Sequence, residues 1–237
     1  MNDGGYKNKL LQNLEQDSIY RLKLRPVMLE AEHEMESPGC AIGHLVFVEE
    51  GVGVMAVTFT DGSQVEVGLF GCESVMGVSA LMGTRHSLNR VYMQIQGFGY
   101  QAPMQAAREE FRRFGTFHDL ALRYVQAQLT QSTQSAACNA KHEVHERLAR
   151  WLLLCADRAG SDRFRMSHEH LAEMLGSTRP TVSTTAAVLK EEGLIEYTRG
   201  TIRIVDFEGL ERRSCECYRV VKNHLDTYTE FDTGFSV

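Results

Sequence analysis

No run among the 237 residues is apolar for long enough to cross a bilayer, and Met1-Asn-Asp-Gly-Gly5 lacks the basic and apolar regions of a signal peptide. The expected location is therefore the cytoplasm, with no membrane partner. No disulfide framework is present either: six cysteines are scattered without regular spacing, which predicts free thiols in a reducing compartment. The first thirty residues contain no cysteine, which argues against an iron–sulfur oxygen sensor needing several thiolates brought together. A nucleotide-binding glycine loop, a metalloprotease helix motif and a nucleophile elbow are all missing, so the familiar enzyme signatures are excluded. Basic charge is also in short supply. Lys and Arg total 25 against 31 Asp and Glu, a formal net charge of −6, which argues against tight non-specific coating of nucleic acid.

What is present is concentrated between Leu171 and Leu189. Leu171, Ala172 and Leu175 form one apolar helical face, and Val182, Ala186 and Leu189 form a second. Gly176 between them can take positive φ after a helix, Ser177 or Thr178 can cap the second helix, and Pro180 is tolerated only in its first turn. Two short helices around a tight turn, the second with a Ser/Thr-rich outer face, have the shape of a helix-turn-helix DNA reader. Its candidate readers are Arg179, Thr181, Ser183 and Thr184, with Thr178 at the cap. An ordinary helical hairpin would explain the apolar residues equally well. It would not require the β-rich runs Leu194-Ile-Glu-Tyr-Thr198 and Thr201-Ile-Arg-Ile-Val205, joined by a turn at Arg199-Gly200, which read as a wing. Upstream, Val144, Leu148, Trp151, Leu152 and Cys155 recur at helical spacing, and Phe164-Arg-Met166 is a candidate third strand. Residues 141–209 are expected to form a winged helix-turn-helix domain, with Lys190, Arg199 and Arg203 adding local basic charge.

From about Val27 to Pro103 short alternating runs replace the helical period. Leu45-Val-Phe-Val48 leads into a turn at Glu49-Glu-Gly51, and Val52 to Phe59 turns at Thr60-Asp-Gly-Ser63 into Gln64 to Phe70. In that last run Val65, Val67 and Leu69 alternate with Gln64, Glu66 and Gly68, which predicts a half-buried strand. Arg90 to Ile95 and Phe98 to Gln101 read as further strands, and the glycine-punctuated stretch Gly71 to Gly83 as a turn followed by a short helix. A small antiparallel barrel or roll is expected over residues 1–110. A long helix follows, assigned to residues 111–140, with Phe117, Leu120, Ala121, Tyr124, Val125 and Gln128 on one stripe. That seam suits part of a dimer interface, or packing against the chain's own barrel. Residues 210–237 are left as a C-terminal tail or helix.

A roll, a long central helix and a C-terminal winged helix-turn-helix, with Ala137 to Leu154, Leu171 to Ile195 and Tyr197-Thr-Arg-Gly200, resemble the Crp/Fnr superfamily of bacterial transcription regulators. Cys215-Glu-Cys-Tyr218 is similar to one branch of it. The resemblance covers nearly the whole chain. It implies an α+β fold: a cyclic-nucleotide-binding-like jelly roll, a central dimerisation helix and a DNA-binding domain. It also implies a homodimer on a palindromic double-stranded operator with recognition helices about 34 Å apart, and RNA polymerase as a further candidate partner. In cyclic-AMP-binding members a Gly-Glu pair holds the ribose and an adjacent Arg-Ser pair the cyclic phosphate. Gly71, Cys72, Glu73 and Ser74 are placed at the first by the resemblance. Arg85, Ser87 and Arg90 stand near the second with no adjacent Arg-Ser, which argues against cyclic AMP and leaves the effector unnamed. On the recognition helix Arg179 matches the family's reader, while Pro180 and Thr184 replace its acidic and second arginine positions. The operator should differ accordingly.

Cys138, His142 and His145 fall at i, i+4 and i+7, a face that could offer a thiolate and two imidazoles to a metal. No fourth ligand is evident, and a capped helix start with solvated histidines is the preferred reading, so no metal is expected. Cys215 and Cys217, if helical, point away from each other. Cys72 beside Glu73 keeps a thiol-based signal open. The competing class, a metal-dependent cupin-like enzyme built on His33, His44 and His86, is weak because those histidines are isolated and carry no His-x-His pair. A third reading, an interaction module without DNA binding, is opposed by the wing and by Arg179.

Overall fold

The computed structural model describes residues 5–230; positions 1–4 and 231–237 of the expected first and last segments lie outside the described residues. After two short helices, α1 (Lys9–Gln12) and α2 (Gln16–Leu22), the chain forms β1 (Arg25–Leu29), β2 (Glu34–Glu36), β3 (His44–Thr58), β4 (Gln64–Phe70), β5 (Val75–Met76) and β6 (Arg90–Pro103). The pairing is antiparallel in the order β1-β6-β3-β4, with β2 on β6 and β5 on β3. A 3₁₀ turn, Val78–Met82, sits between Gly77 and Gly83, both at positive φ. The turn and short helix expected between Gly71 and Gly83 are thus there.

Two expected reversals are bends instead. Glu49-Glu-Gly51 does not turn the chain back, and Arg90–Ile95 is not separate from Phe98–Gln101: β3 and β6 each run through, with register shifts between Val48 and Gly53. The cause is glycine on both sides of the ladder. Gly51 has φ 97°, and a Cβ on Gly97 would lie 1.8 Å from the Glu50 carbonyl oxygen, so the strands bulge and coil past each other where bulkier residues would separate them. The reversal at Thr60-Asp-Gly-Ser63 is a true hairpin, closed by Phe59 and Ser63.

A second correction concerns β4. Its Glu66 face was expected in water, but Glu66 is buried, and a Cβ on Gly68 would sit 3.1 Å from Gln131. After α3 (Met104–Phe111), the helices α4 (Thr116–Lys141), α5 (Val144–Ala159) and α6 (His168–Met174) cover this face. Alternation identifies two faces but cannot say that one of them meets another domain. Burial raises the Glu66 pKa, opposed by the guanidinium groups of Arg150 and Arg158 on α5.

The long helix begins at Thr116, five residues after the expected start, because Phe114 at positive φ and Gly115 break the path from α3. It ends at Lys141; His142 is extended, and Glu143 opens α5 with a reciprocal capping box to Glu146. The expected boundary at 140/141 falls beside this joint. Beyond it come β7 (Arg163–Arg165), α6, α7 (Arg179–Glu191), β8 (Ile195–Thr198), β9 (Thr201–Ile204), α8 (Phe207–Arg213) and α9 (Cys217–Thr227), so the expected division at 209/210 cuts through α8. One apolar cluster links the halves, running from Leu10 and Phe47 through Leu120 and Tyr124 to Trp151 and Leu152. A smaller one, including Leu29, Met55, Phe70 and Met93, fills the inside of the roll.

Candidate nucleic-acid interface

The turn between α6 and α7 follows from local chemistry. Ser167 caps α6 through the His170 N–H, Gly176 takes φ 55°, and the Thr178 hydroxyl accepts from the Thr181 N–H. Pro180 occupies the first turn of α7, where its missing donor costs nothing. Val182, Ala186 and Leu189 are buried against α5 and α6, which leaves Arg179, Thr181, Thr184 and Lys190 exposed on the other side. Ser183 is half-buried and engaged: His168 Nδ1 lies 2.9 Å from its hydroxyl. The same imidazole stacks on Tyr197 of β8 with ring centres 4.3 Å apart, so one side chain ties α6, α7 and the wing together. Burial, and secondarily Arg179, holds its pKa below the ordinary 6.5.

The wing is a three-stranded sheet in the order β7-β9-β8, with the Phe164 strand on its edge. Arg199 at its tip is exposed and adopts φ 50°. Arg203 is not free basic charge as expected, since it pairs with Asp162 at 3.1 Å and Glu196 at 3.5 Å. Arg179 is mostly exposed, with Glu169 3.7 Å away.

The structure disperses the residues expected at an effector pocket. Ser87 lines a cavity of about 250 Å³ between the roll and α4, together with Glu36, Asn89, Phe70, Val125 and Gln128. Glu36 accepts hydrogen bonds from the Ser87 hydroxyl and the Gly77 N–H there, a role with no sequence signal. Arg85 is exposed on the surface, and Arg90 is occupied by Glu34 and Gln64 and lies over the Tyr92 ring. Glu73 faces the other way, into α5, and meets Arg158 at 3.0 Å with both side chains buried. Gly71 and Ser74 bond to each other beside it, and Cys72 and Glu73 line only a crevice of about 80 Å³ under α9. The turn carrying Glu73 is drawn toward α5 by the buried guanidinium, which takes its carboxylate out of the cavity. Burial raises the Cys72 pKa, so that thiol is not activated.

The stripe expected as a dimer seam is spent on the chain's own core: Phe117, Leu120, Ala121 and Tyr124 are all buried there, while Val125 and Gln128 are half-buried at the cavity. The exposed face of α4 carries Leu122, Gln126, Leu129, Thr133, Ala136 and Ala140. These repeat at alternating steps of four and three, a seam signal that the stronger apolar stripe masks. His33, His44 and His86 are each exposed and do not come together as a ligand group among the described residues. His145 is exposed too, but Cys138 and His142 of the same helix end meet Cys215 and Cys217. The pair two residues apart converges because Cys215 lies in the non-helical link before α9.

Residues 146–213 match the family model of the Crp-like helix-turn-helix domain. The global nitrogen regulator of a Nostoc species is 25% identical over 178 residues, covering 70% of this chain and 79% of that one. The transcriptional regulator LdrP of Thermus thermophilus is 37% identical over 78 residues, 30% of this chain and 40% of the relative. Among solved structures FixK2 of Bradyrhizobium japonicum has the same fold, with a TM-score of 0.69 at 15% identity over 81% of this chain and 98% of that one. A CRP/FNR-family transcriptional regulator of Thermus thermophilus scores 0.65 at 20% identity, over 80% and 98%.

Residues 146–213 are thus a Crp-like helix-turn-helix domain, and the chain as a whole is similar to Crp/Fnr regulators in sequence and fold. It is a DNA-binding transcription regulator, and α7 and the wing lie within the matched helix-turn-helix domain. The superfamily is regulatory and typically dimeric. No helix among the described residues is long and apolar enough to cross a membrane.

Proposed function

We propose that this regulator acts as a homodimer joined along the Leu122, Leu129 and Ala136 face of α4, reading a palindromic operator with two copies of α7. The observation that carries this is the division of labour on α4. One stripe is consumed by the chain's own core, and a second, heptad-spaced apolar stripe is left open beside the cavity. Arg179, Thr181 and Thr184 read base edges. Thr178 and Lys190 lie at the two ends of the helix near the phosphates, Arg199 at the wing tip does the same, and Ser183 positions His168 more than it reads. RNA polymerase is the partner this reading adds where the bound dimer activates.

The roll is the effector unit, in residues 1–110, and its seat is the cavity against α4. No Lys or Arg side chain lines that cavity, so a cyclic phosphate has no guanidinium to meet, and the Glu36 carboxylate would repel it. A small neutral or cationic molecule suits the mixture of apolar walls and the Ser87, Asn89 and Gln128 side chains. Occupancy would press on Val125 and Leu129, and Leu129 belongs to the seam as well. A ligand there biases the dimer, and through it the spacing of the recognition helices.

Selection of binding sites from a random duplex pool with purified chain tests this. The expected product is an imperfect palindrome whose half-sites are about one helical turn apart, near 34 Å. Enrichment of a single unrepeated half-site would remove the dimer. No enrichment, with or without added metabolite extract, would remove operator recognition by α7.

A further inference from the structure

We propose that Cys138, His142, Cys215 and Cys217 form a closed, tetrahedral zinc site that fastens the C-terminal helix to the joint between α4 and α5. The four side chains come from two distant parts of the chain, yet their ligand atoms all lie within 4.8 Å of one another. Cys138 Sγ is 3.5 Å from Cys215 Sγ, and Cys217 Sγ is 3.5 Å from His142 Nδ1. A tetrahedron with Zn–S bonds of about 2.3 Å and a Zn–N bond of about 2.0 Å has edges of about 3.5–3.8 Å. The Cys217–His142 edge matches, the Cys138–Cys215 edge is slightly short of the sulfur–sulfur value, and the remaining pairs lie within 4.8 Å.

The surroundings are those of ligands more than of idle thiols. All three cysteines are buried, at 4% exposure or less. The Gln134 side-chain amide donates to Cys217 Sγ at 3.0 Å. Such a donor is wasted on a neutral S–H group and effective on a thiolate. His142 presents Nδ1 to the cluster while its Nε2 lies 3.3 Å from the Glu216 carboxylate, the outer-shell partner that fixes tautomer and ring orientation in zinc-bound histidines. Three thiolates, one neutral imidazole and Zn²⁺ leave one net negative charge, and the buried Arg150 guanidinium lies within electrostatic reach of Cys138. Four protein ligands leave no open position, so the site is structural, and three soft sulfurs with one imidazole select zinc over harder cations.

Its place gives it a role. Cys138 is in the last turn of α4 and His142 is the residue at which the chain leaves that helix for the DNA-reading half. Cys215 precedes α9 and Cys217 opens it, and the far end of α9 reaches the N-terminal half through Lys9 and Asp226 at 2.8 Å and through the Tyr228 hydroxyl on the Glu73 carbonyl. The ion would hold α9 across the joint through which α4 and the winged domain are connected, so its loss frees that joint.

The test is metal analysis of the full-length chain purified under reducing conditions without chelator. We expect about one zinc ion per chain. After its removal, cobalt(II) chloride should restore the site with the visible absorption of tetrahedral thiolate cobalt, saturating at one equivalent. Cys215→Ser should lose both zinc and the cobalt spectrum. Because that variant could fail by unfolding, His142→Cys is the second: it keeps four ligands, and retention of zinc with a cobalt spectrum shifted toward four-sulfur coordination marks coordination over packing. Sub-stoichiometric zinc together with no cobalt–thiolate absorption overturns the proposal. So does iron with acid-labile sulfide, or a Cys138–Cys215 disulfide in chain isolated without added oxidant.

Discussion

In the proposed function Arg179 recognises DNA, and it does little for the fold. Its side chain is mostly exposed at the start of α7, and Glu169 is 3.7 Å away, too far for a strong hydrogen bond. Arg179→Ala should therefore leave thermal stability nearly unchanged while costing about 1–3 kcal/mol in binding at one cognate base pair. Titration against operators varied one position at a time distinguishes the two roles open to it. A base reader loses discrimination at a single position, whereas a phosphate anchor weakens binding equally on all of them. Nearby, His168 and His170 are both held below the ordinary imidazole value of 6.5 by burial, with Arg179 adding to the first and Arg90 to the second, against Glu173 and Glu32. The unfolded chain takes up protons where the folded one does not. Their contribution is complete above about pH 6.5 and is lost as the pH falls toward the folded-state values. The melting temperature should drop between about pH 7.5 and about pH 5.5, and the drop should be smaller in a His168→Gln, His170→Gln double variant. Comparing the two proteins separates the histidines from Glu66, whose raised pKa acts with the opposite sign.

Among the elements, α4 is where periodicity was least informative about function. Its most apolar stripe, through Phe117, Leu120 and Tyr124, is the one the chain buries itself, because a helix lying on a roll must first satisfy that contact. The proposed dimer seam is what remains, and Leu129, 55% exposed, is its test position. Leu129→Glu would put a carboxylate on each side of the symmetry axis in an apolar seam. A loss on the order of 3 kcal/mol, or roughly a hundredfold in the dimer dissociation constant, is expected in sedimentation equilibrium. An unchanged constant would place the dimer contact elsewhere. The helix-turn-helix and wing, by contrast, were legible because their signals are local: a glycine that must take positive φ, a capping threonine, a proline restricted to the first turn. Where legibility failed, the deciding contact was remote. Glu66 was assigned to water until α5 covered it, Glu73 left the cavity for Arg158, and Cys215 met Cys138 only because a break in the helix turned it.

At the scale of the whole molecule, the Glu73–Arg158 pair is a buried charged link between the two halves. Arg158 reaches Glu73 of the roll at 3.0 Å and donates to Gln131 of α4 at 2.8 Å, and Gln131 in turn donates to the Leu69 carbonyl of β4. Roll, central helix and DNA-binding domain thus share one buried polar chain. A buried pair contributes little net stability when complete, since desolvation offsets attraction, but removing one partner leaves the other uncompensated. Glu73→Gln should therefore destabilise the chain by about 3–5 kcal/mol. For a chain of this length that is a fall of about 6–20 °C in melting temperature. Arg158→Met leaves Glu73 stranded in the same way and should cost a similar amount. The double variant Glu73→Gln, Arg158→Met removes both charges, and it should recover a large part of the loss if uncompensated charge is the cause. Additive losses in calorimetry would mean instead that each side chain acts through packing, as part of the apolar cluster that the two halves share.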